Sequence, residues 1–306
     1  MVLASLTATR HFPTIPLAVH IHYQPKYSEL DNDLDMYLLT REIAIEIAEE
    51  GPSSPNCNYV TLSGFTSIED SAAEVLGSTT FGLVLDDLTE LTDTAAEHLG
   101  RVQDELILSG LTHLSDAAAV GLGRASGGVL SLEGVTELST DAAIALGRFQ
   151  GNQEGECTLD LSGLKSLSPE AASGLSELRG NLYLSGLTQI SDEVAEALAE
   201  HQGDELMLGV ANLSEKAMRL LAKPGVGCAS LSDQQAARFK EMQNEYEQFQ
   251  RFAGYVKFAL HGSSLIFRAK NFDELVAEVQ SWMDCDDVIQ RTRQLRDLLN
   301  QLNLDD

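Results

Sequence analysis

The sequence predicts an α/β solenoid of about seven strand–helix coils built on one parallel sheet. Three observations carry this: a recurring L-x-L anchor, apolar positions at constant offsets behind it, and helix-start signals after those. The second leucines of the anchors are Leu62, Leu85, Leu108, Leu132, Leu161, Leu184 and Leu208, in steps of 23, 23, 24, 29, 23 and 24 residues. A near-constant period in the twenties marks one supersecondary unit per repeat.

Each unit reads as strand, turn, helix. In L-x-L the period is two, so both leucines face the core and the middle residue faces out. A Ser-Gly pair follows in several copies, a bend where a side chain would crowd the neighbouring coil. Apolar residues recur three, six and fourteen positions after the anchor, as Leu111, Leu114 and Leu122 show for Leu108. The seventh copy, LMLGVANLSEKA, is one residue short, which brings Leu213 forward. Helix starts are marked by Thr92-Asp93, Ser115-Asp116, Ser191-Asp192-Glu193 and Ser168-Pro169-Glu170. A hydroxyl suits the N-cap, carboxylates suit the first turn, and Pro at the first helical position loses no needed hydrogen bond. Gly100, Gly123, Gly147 and Gly203 fit helix stops. One unit alone leaves its apolar stripe uncovered; stacked units cover one another.

The L-x-L followed by an apolar position over residues 59 to 222 resembles the leucine-rich repeat family. The run GLTxLSDxAAxxL is most similar to its irregular bacterial class. The family's usual Asn or Cys after the strand is replaced here by Phe65, Leu88, Leu111, Val135, Leu164 and Leu187. The resemblance implies a parallel strand face used to bind a protein partner.

Flanking segments divide the chain into an N-terminal cap at 1–58, the solenoid at 59–225, and a C-terminal helical or small α+β region at 226–306. Ile15–Tyr23 reads as a strand, and Asp31–Asp35 as the acidic start of a helix running to Glu50, with Leu38–Arg41 already helical. Asp31, Asp33, Asp35 and Glu42 have the spacing of a calcium loop, but Met36 stands where that loop needs Gly. His20 and His22 share a strand face without a third ligand nearby, so no metal is expected. Gly51–Pro55 is a linker, and Gly151–Glu156 a polar surface insertion. After Lys223-Pro224-Gly225, residues 233–252 have helical spacing with Phe239, Met242, Tyr246 and Phe249 on one face. Tyr255–Phe267 reads as a hairpin. Arg291, Arg293 and Arg296 lie on a last helix as a solvated face.

The formal net charge is −27, and residues 59–225 hold 26 acidic against 8 basic side chains. A surface this acidic disfavours nucleic acid and anionic membranes and allows a basic protein partner. Cys57, Cys157, Cys228 and Cys285 are scattered without a C-x-x-C pair, which fits a reduced, cytoplasmic setting and no zinc site. No signal peptide or apolar run near eighteen residues is read.

The serines of Leu-Ser-Gly-Leu recur as a structural position, and no nucleophile–base motif, phosphate loop or H-E-x-x-H appears. No catalytic residue or cofactor is expected. The candidate site is the row of outward strand residues: Thr61, Val84, Ile107, Ser131, Asp160, Tyr183 and Met207. Apolar residues on a solvent-facing strand row are unusual and point to a partner surface. The expected function is therefore a non-enzymatic protein-interaction module. The alternative is an enzyme or metal-binding protein with its site in the terminal regions and the repeats used for targeting.

Overall fold

The computed structural model describes residues 38–52, 58–152 and 155–259. Strands and helices alternate through them. They run β1 (Leu38–Leu39), α1 (Arg41–Glu50), β2 (Tyr59–Thr61), β3 (Ser67–Ile68), α2 (Asp70–Leu76), β4 (Gly82–Val84), α3 (Asp93–Leu99), β5 (Leu106–Ile107), α4 (Asp116–Leu122) and β6 (Val129–Ser131). They continue as α5 (Thr140–Leu146), β7 (Thr158–Asp160), α6 (Pro169–Leu175), β8 (Asn181–Leu184), α7 (Asp192–Leu198), β9 (Leu206–Leu208), α8 (Glu215–Leu221), β10 (Val226–Cys228) and α9 (Asp233–Ala259). Eight strands form one parallel sheet in the order β10-β9-β8-β7-β6-β5-β4-β2, so each coil pairs with the next. The helices α1 to α8 pack in the same sequential order. This is a repeat solenoid of β-α units.

The anchor leucines Leu62, Leu85, Leu108, Leu132, Leu161, Leu184 and Leu208 are all fully buried. Burying one such side chain contributes about 1.5–3 kcal/mol. The helix alanine pairs, such as Ala95-Ala96 and Ala171-Ala172, are buried with them and let each helix lie close to the core.

Neighbouring coils are also joined by polar bonds. The Thr92 hydroxyl donates to the Asp70 carboxylate of the preceding coil, Ser115 donates to Asp93, Ser139 to Asp116 and Ser214 to Asp192. Each of these hydroxyls also caps its own helix, accepting from the backbone N–H of Ala95, Ala118, Ala142 or Ala217 at 2.9–3.0 Å. One oxygen thus serves two purposes: it satisfies an orphan helix amide and ties one coil to the last. Thr140 and Pro169 stand at the first helical position where the acceptor coils of this ladder have Asp. Ser168 and Ser191 therefore lack the inter-coil partner and cap their own helices, at 3.1 and 3.3 Å from Ala171 and Val194 N–H.

Glycines set how closely the coils approach. A Cβ on Gly110, Gly134, Gly163 or Gly186 would lie 2.0–2.4 Å from a carbonyl oxygen of the preceding coil. The helix-end glycines differ from expectation. Gly77, Gly100, Gly123 and Gly147 have φ between −65° and −62°, an ordinary right-handed conformation. They do not act as left-handed stops. A Cβ there would sit 2.0–2.3 Å from a carbonyl of the next helix, so proximity demands glycine. Gly203 lies beyond the end of α7, and its missing Cβ makes room for the Gly180 carbonyl.

The ends depart from the sequence reading in three places. Leu38-Leu39 is a strand rather than helix, paired in parallel with Ser67-Ile68. The Leu39 carbonyl accepts from Glu69 N–H and the Arg41 N–H donates to the Glu69 carboxylate, so tertiary pairing outweighs local helix preference there. α1 then packs on α2 through Ala44 and Ile47. At the other end β10 extends the sheet by one strand past the expected limit at Gly225, with Val226 and Cys228 in register with Leu206 and Leu208. Third, α9 runs through Ala259, so Tyr255–Ala259 is helical rather than the start of a hairpin. Extending a formed helix needs no new nucleus, which offsets the β preference of Tyr255 and Val256.

α9 closes the stack. Phe239 and Met242 are 5 % and 4 % exposed. The Gln235 amide pairs with both the N–H and the carbonyl of Leu213, and Gln243 donates to the carbonyls of Lys223 and Val226. Expectations for Ile15–Tyr23, His20, His22, Asp31–Asp35, Cys57, Cys285 and Arg291–Arg296 fall outside the described residues.

Two substitutions test the inter-coil ladder. Asp116→Ala lowers unfolding free energy by about 1 kcal/mol and Ser139→Ala by about 2 kcal/mol, since it also removes the helix cap; the double variant loses less than the sum because both remove the same inter-coil bond. Gly110→Ala costs about 1–3 kcal/mol by overpacking. Urea denaturation followed by circular dichroism measures all of them.

Candidate functional site: the strand face

The strand register brings the predicted row together. Thr61 lies beside Val84, Val84 beside Ile107, Ile107 beside Ser131, Ser131 beside Asp160, Asp160 beside Tyr183, and Tyr183 beside Met207. Gly227 of β10 extends the row by one place. A second row runs parallel to it through Tyr59, Gly82, Glu105, Val129, Thr158, Asn181 and Glu205.

The row is less exposed than expected. Val84 is only 8 % exposed and Ser131 only 7 %. Parallel neighbours stand about 4.8 Å away, so a short side chain between Thr61 and Ile107, or between Ile107 and Asp160, is shielded on both sides. Val84 and Ser131 therefore belong to the floor of the face. Thr61, Ile107, Asp160, Tyr183 and Met207 are half-buried and form its reachable part.

Polar side chains on the face bond to each other across strands. The Tyr183 hydroxyl donates to Glu205 Oε2 at 3.1 Å, and Asn181 Nδ2 donates to Thr158 Oγ1 at 3.3 Å. Asp160 Oδ1 accepts from Ser162 N–H at 2.8 Å. Burial, then the charge of Glu205, then the hydrogen bond to it and the charge of Asp160 push the Tyr183 phenol up to about 12. Two carboxylates thus act on one aromatic ring. A second acidic group stands at the start of β5. Burial raises the Glu105 carboxyl above its usual range, helped by the charges of Asp104 and Glu156.

Glu156 comes from the insertion between α5 and β7. That loop closes on itself: Asn152 N–H donates to the Glu156 carbonyl at 2.8 Å, and Glu156 N–H donates to Asn152 Oδ1 at 2.9 Å. Both side chains lie next to Gly128, where a Cβ would be 3.0 Å from Asn152 Nδ2 and 3.1 Å from Glu156 Oε2. The insertion is polar, as its composition predicts, and it delivers a carboxylate to the sheet edge of the neighbouring coil. The contribution of Asp104 and Glu156 was not visible in the outward row. The signal for Asp104 was the repeated Asp-Glu-Leu ahead of the strand, at Asp104–Leu106 and Asp204–Leu206; Glu156 lies in the insertion and carries no such mark.

Other chemistry is sparse. Burial pushes the Cys157 thiol up to about 11 and the Cys228 thiol up to about 12. Both stay protonated near neutral pH, and a thiol is a weak nucleophile. Among the described residues no group of three His, Cys, Asp or Glu side chains is placed to hold a metal ion. No described helix is long and apolar enough to cross a membrane. On the helix side, a shallow groove between α3 and α4 is bounded by Asp93, Glu97, Val120 and Arg124.

His201 lies against the backbone of Gly180 and Glu205, next to the second row. Neither ring nitrogen has a partner of good hydrogen-bond geometry. Burial lowers its pKa below the usual 6.5, with the nearby backbone of Gly180, Glu205 and Ser176 opposing the shift.

Comparison with family models, curated proteins and solved structures returned no match.

A pH prediction follows from His201. Below its unfolded value of 6.5 the unfolded chain binds the proton more readily than the folded chain. Stability therefore falls as pH drops through 6.5 and levels off below the depressed folded value. His201→Gln flattens that slope, read as urea midpoints at a series of pH values between neutral and mildly acid.

Proposed function

We propose that this chain is a non-enzymatic interaction module of leucine-rich-repeat type, binding a protein partner on its strand face. The observation that carries the reading is the row itself. Ile107, Tyr183 and Met207 occupy one register line, half-buried, on the outer side of a sheet whose inner side is leucine and valine apart from Cys228. Aromatic and Met side chains with low mobility are suited to anchor a partner. The acidic surroundings favour a basic partner. A face fixed on a continuous sheet also holds its anchors with little entropy left to lose on binding. The scattered cysteines support a reducing, cytoplasmic setting.

The test is affinity capture from native lysate. The bait is wild type against a variant carrying Ile107→Ser, Tyr183→Ser and Met207→Ser. Val84 is left intact, because replacing a buried valine would disturb the floor of the face. Circular dichroism confirms that both baits are folded. A partner retained by wild type and lost by the variant supports the reading. Equal capture by both places the binding surface elsewhere.

A further inference from the structure

Charge divides sharply between the two sides of this solenoid. None of the strands β2 and β4 to β10 contains Lys or Arg. Ion pairs among the described residues include Arg101–Glu97, Lys216–Glu196, Arg219–Glu215, Arg238–Glu215 and Arg238–Glu241. All of them involve residues of helices or helix ends. The acids of the strand face take part in none of them. Glu205 and Asp160 flank the Tyr183 ring, and Glu105 is crowded by Asp104 and Glu156.

We infer that the occupant of the strand face is an extended basic segment of a partner protein, laid across the strands with two Lys or Arg side chains about four residues apart. One cation sits between Asp160 and Glu205 beside Tyr183, and the other beside Asp104, Glu105 and Glu156. This rests on the binding reading above and names the partner's chemistry.

The spacing comes from the sheet. Glu105 leads into β5 and Tyr183 is on β8, three strand steps apart. At about 4.8 Å per step this is roughly 14 Å, and an extended chain rises about 3.3 Å per residue. Four residues span the gap and return the side chain to the same face, because side chains alternate with period two. Ile107, two residues past Glu105 on β5, offers an apolar contact at that end, and Met207 on β9 offers one beyond the cation at Tyr183. A cation over the Tyr183 ring gains from the ring's negative face as well as from the two carboxylates. A cation beside Glu105 offsets the like-charge repulsion from Asp104 and Glu156 that adds to the effect of burial there.

The probes are three fluorescein-labelled octapeptides of Leu and Thr. The first has Lys at its second and sixth positions, the next has Lys at its second and third, and the last has Glu in place of each Lys of the first. Fluorescence anisotropy at physiological salt reads their binding to the full chain. The expected result is that wild type binds the spaced peptide at least tenfold tighter than the adjacent one and does not bind the Glu peptide. Asp160→Asn with Glu205→Gln should weaken the spaced peptide at least tenfold. Glu170→Gln with Glu177→Gln, which removes the same charge from the helix side, should leave it unchanged. Equal binding of both Lys peptides, equal weakening by the helix-side pair, or no binding of the spaced peptide would each overturn the inference. The two failures are distinguishable. A captured partner lost with Ile107→Ser, Tyr183→Ser and Met207→Ser, yet insensitive to Asp160→Asn and Glu205→Gln, would keep the binding face and discard the basic segment.

Discussion

Everything in this molecule depends on how closely one coil sits on the next. Three kinds of contact set that distance. Anchor leucines of successive strands bury one another, glycines let backbones meet where a Cβ would clash, and N-cap hydroxyls reach the aspartate of the coil before. The third contact is economical, since the same hydroxyl finishes its own helix. It also explains how the stack holds without a buried asparagine after each strand. Backbone bonds between turns contribute as well, as when Thr89 N–H donates to the Thr66 carbonyl at 2.9 Å and Ala211 N–H to the Thr188 carbonyl at 3.2 Å.

Stacking has a consequence for the outer surface. When the inner leucines are in register, the residues between them are in register too, so a row on the opposite face follows from the core. The chain then distributes charge unequally. Among helix-side acids Glu97, Glu196, Glu215 and Glu241 pair with Arg or Lys, while strand-side acids have a tyrosine, an asparagine loop and each other. A single-sign field on one face of a rigid sheet steers an oppositely charged partner toward that face.

Much of this could be read from the residues, for specific reasons. The strand row followed from the period-two anchors, and the register pairs it as predicted. The caps at Thr92, Ser115, Ser168 and Ser191 followed from hydroxyl-plus-acid spacing, and each accepts from its third helical amide. What the residues hid was tertiary. β10 has Val226 and Cys228 in place of leucines, so the L-x-L pattern passes over it. Gly100 looks like a helix stop, but its reason lies in the next coil, at the Gly121 carbonyl. Leu38-Leu39 is drawn into a strand by Ser67-Ile68, twenty-nine residues on. Val84 is outward by parity yet buried by its neighbours, because parity says which way a side chain points and nothing about what flanks it. The hydroxyl-to-aspartate ladder combines two signals that look purely local, a cap and a first-turn acid, and its inter-coil role appears only when the coils are stacked.

The most direct test of the stacking account is amide hydrogen exchange, read by mass spectrometry, on wild type and Ser139→Ala. If each coil is held mainly by its immediate neighbours, the variant loses protection in the coils of α4 and α5 on either side of the missing bond, while the coils of β9 and β10 exchange as before. An equal rise in exchange from β2 through β10, or no change beside residue 139, would contradict it.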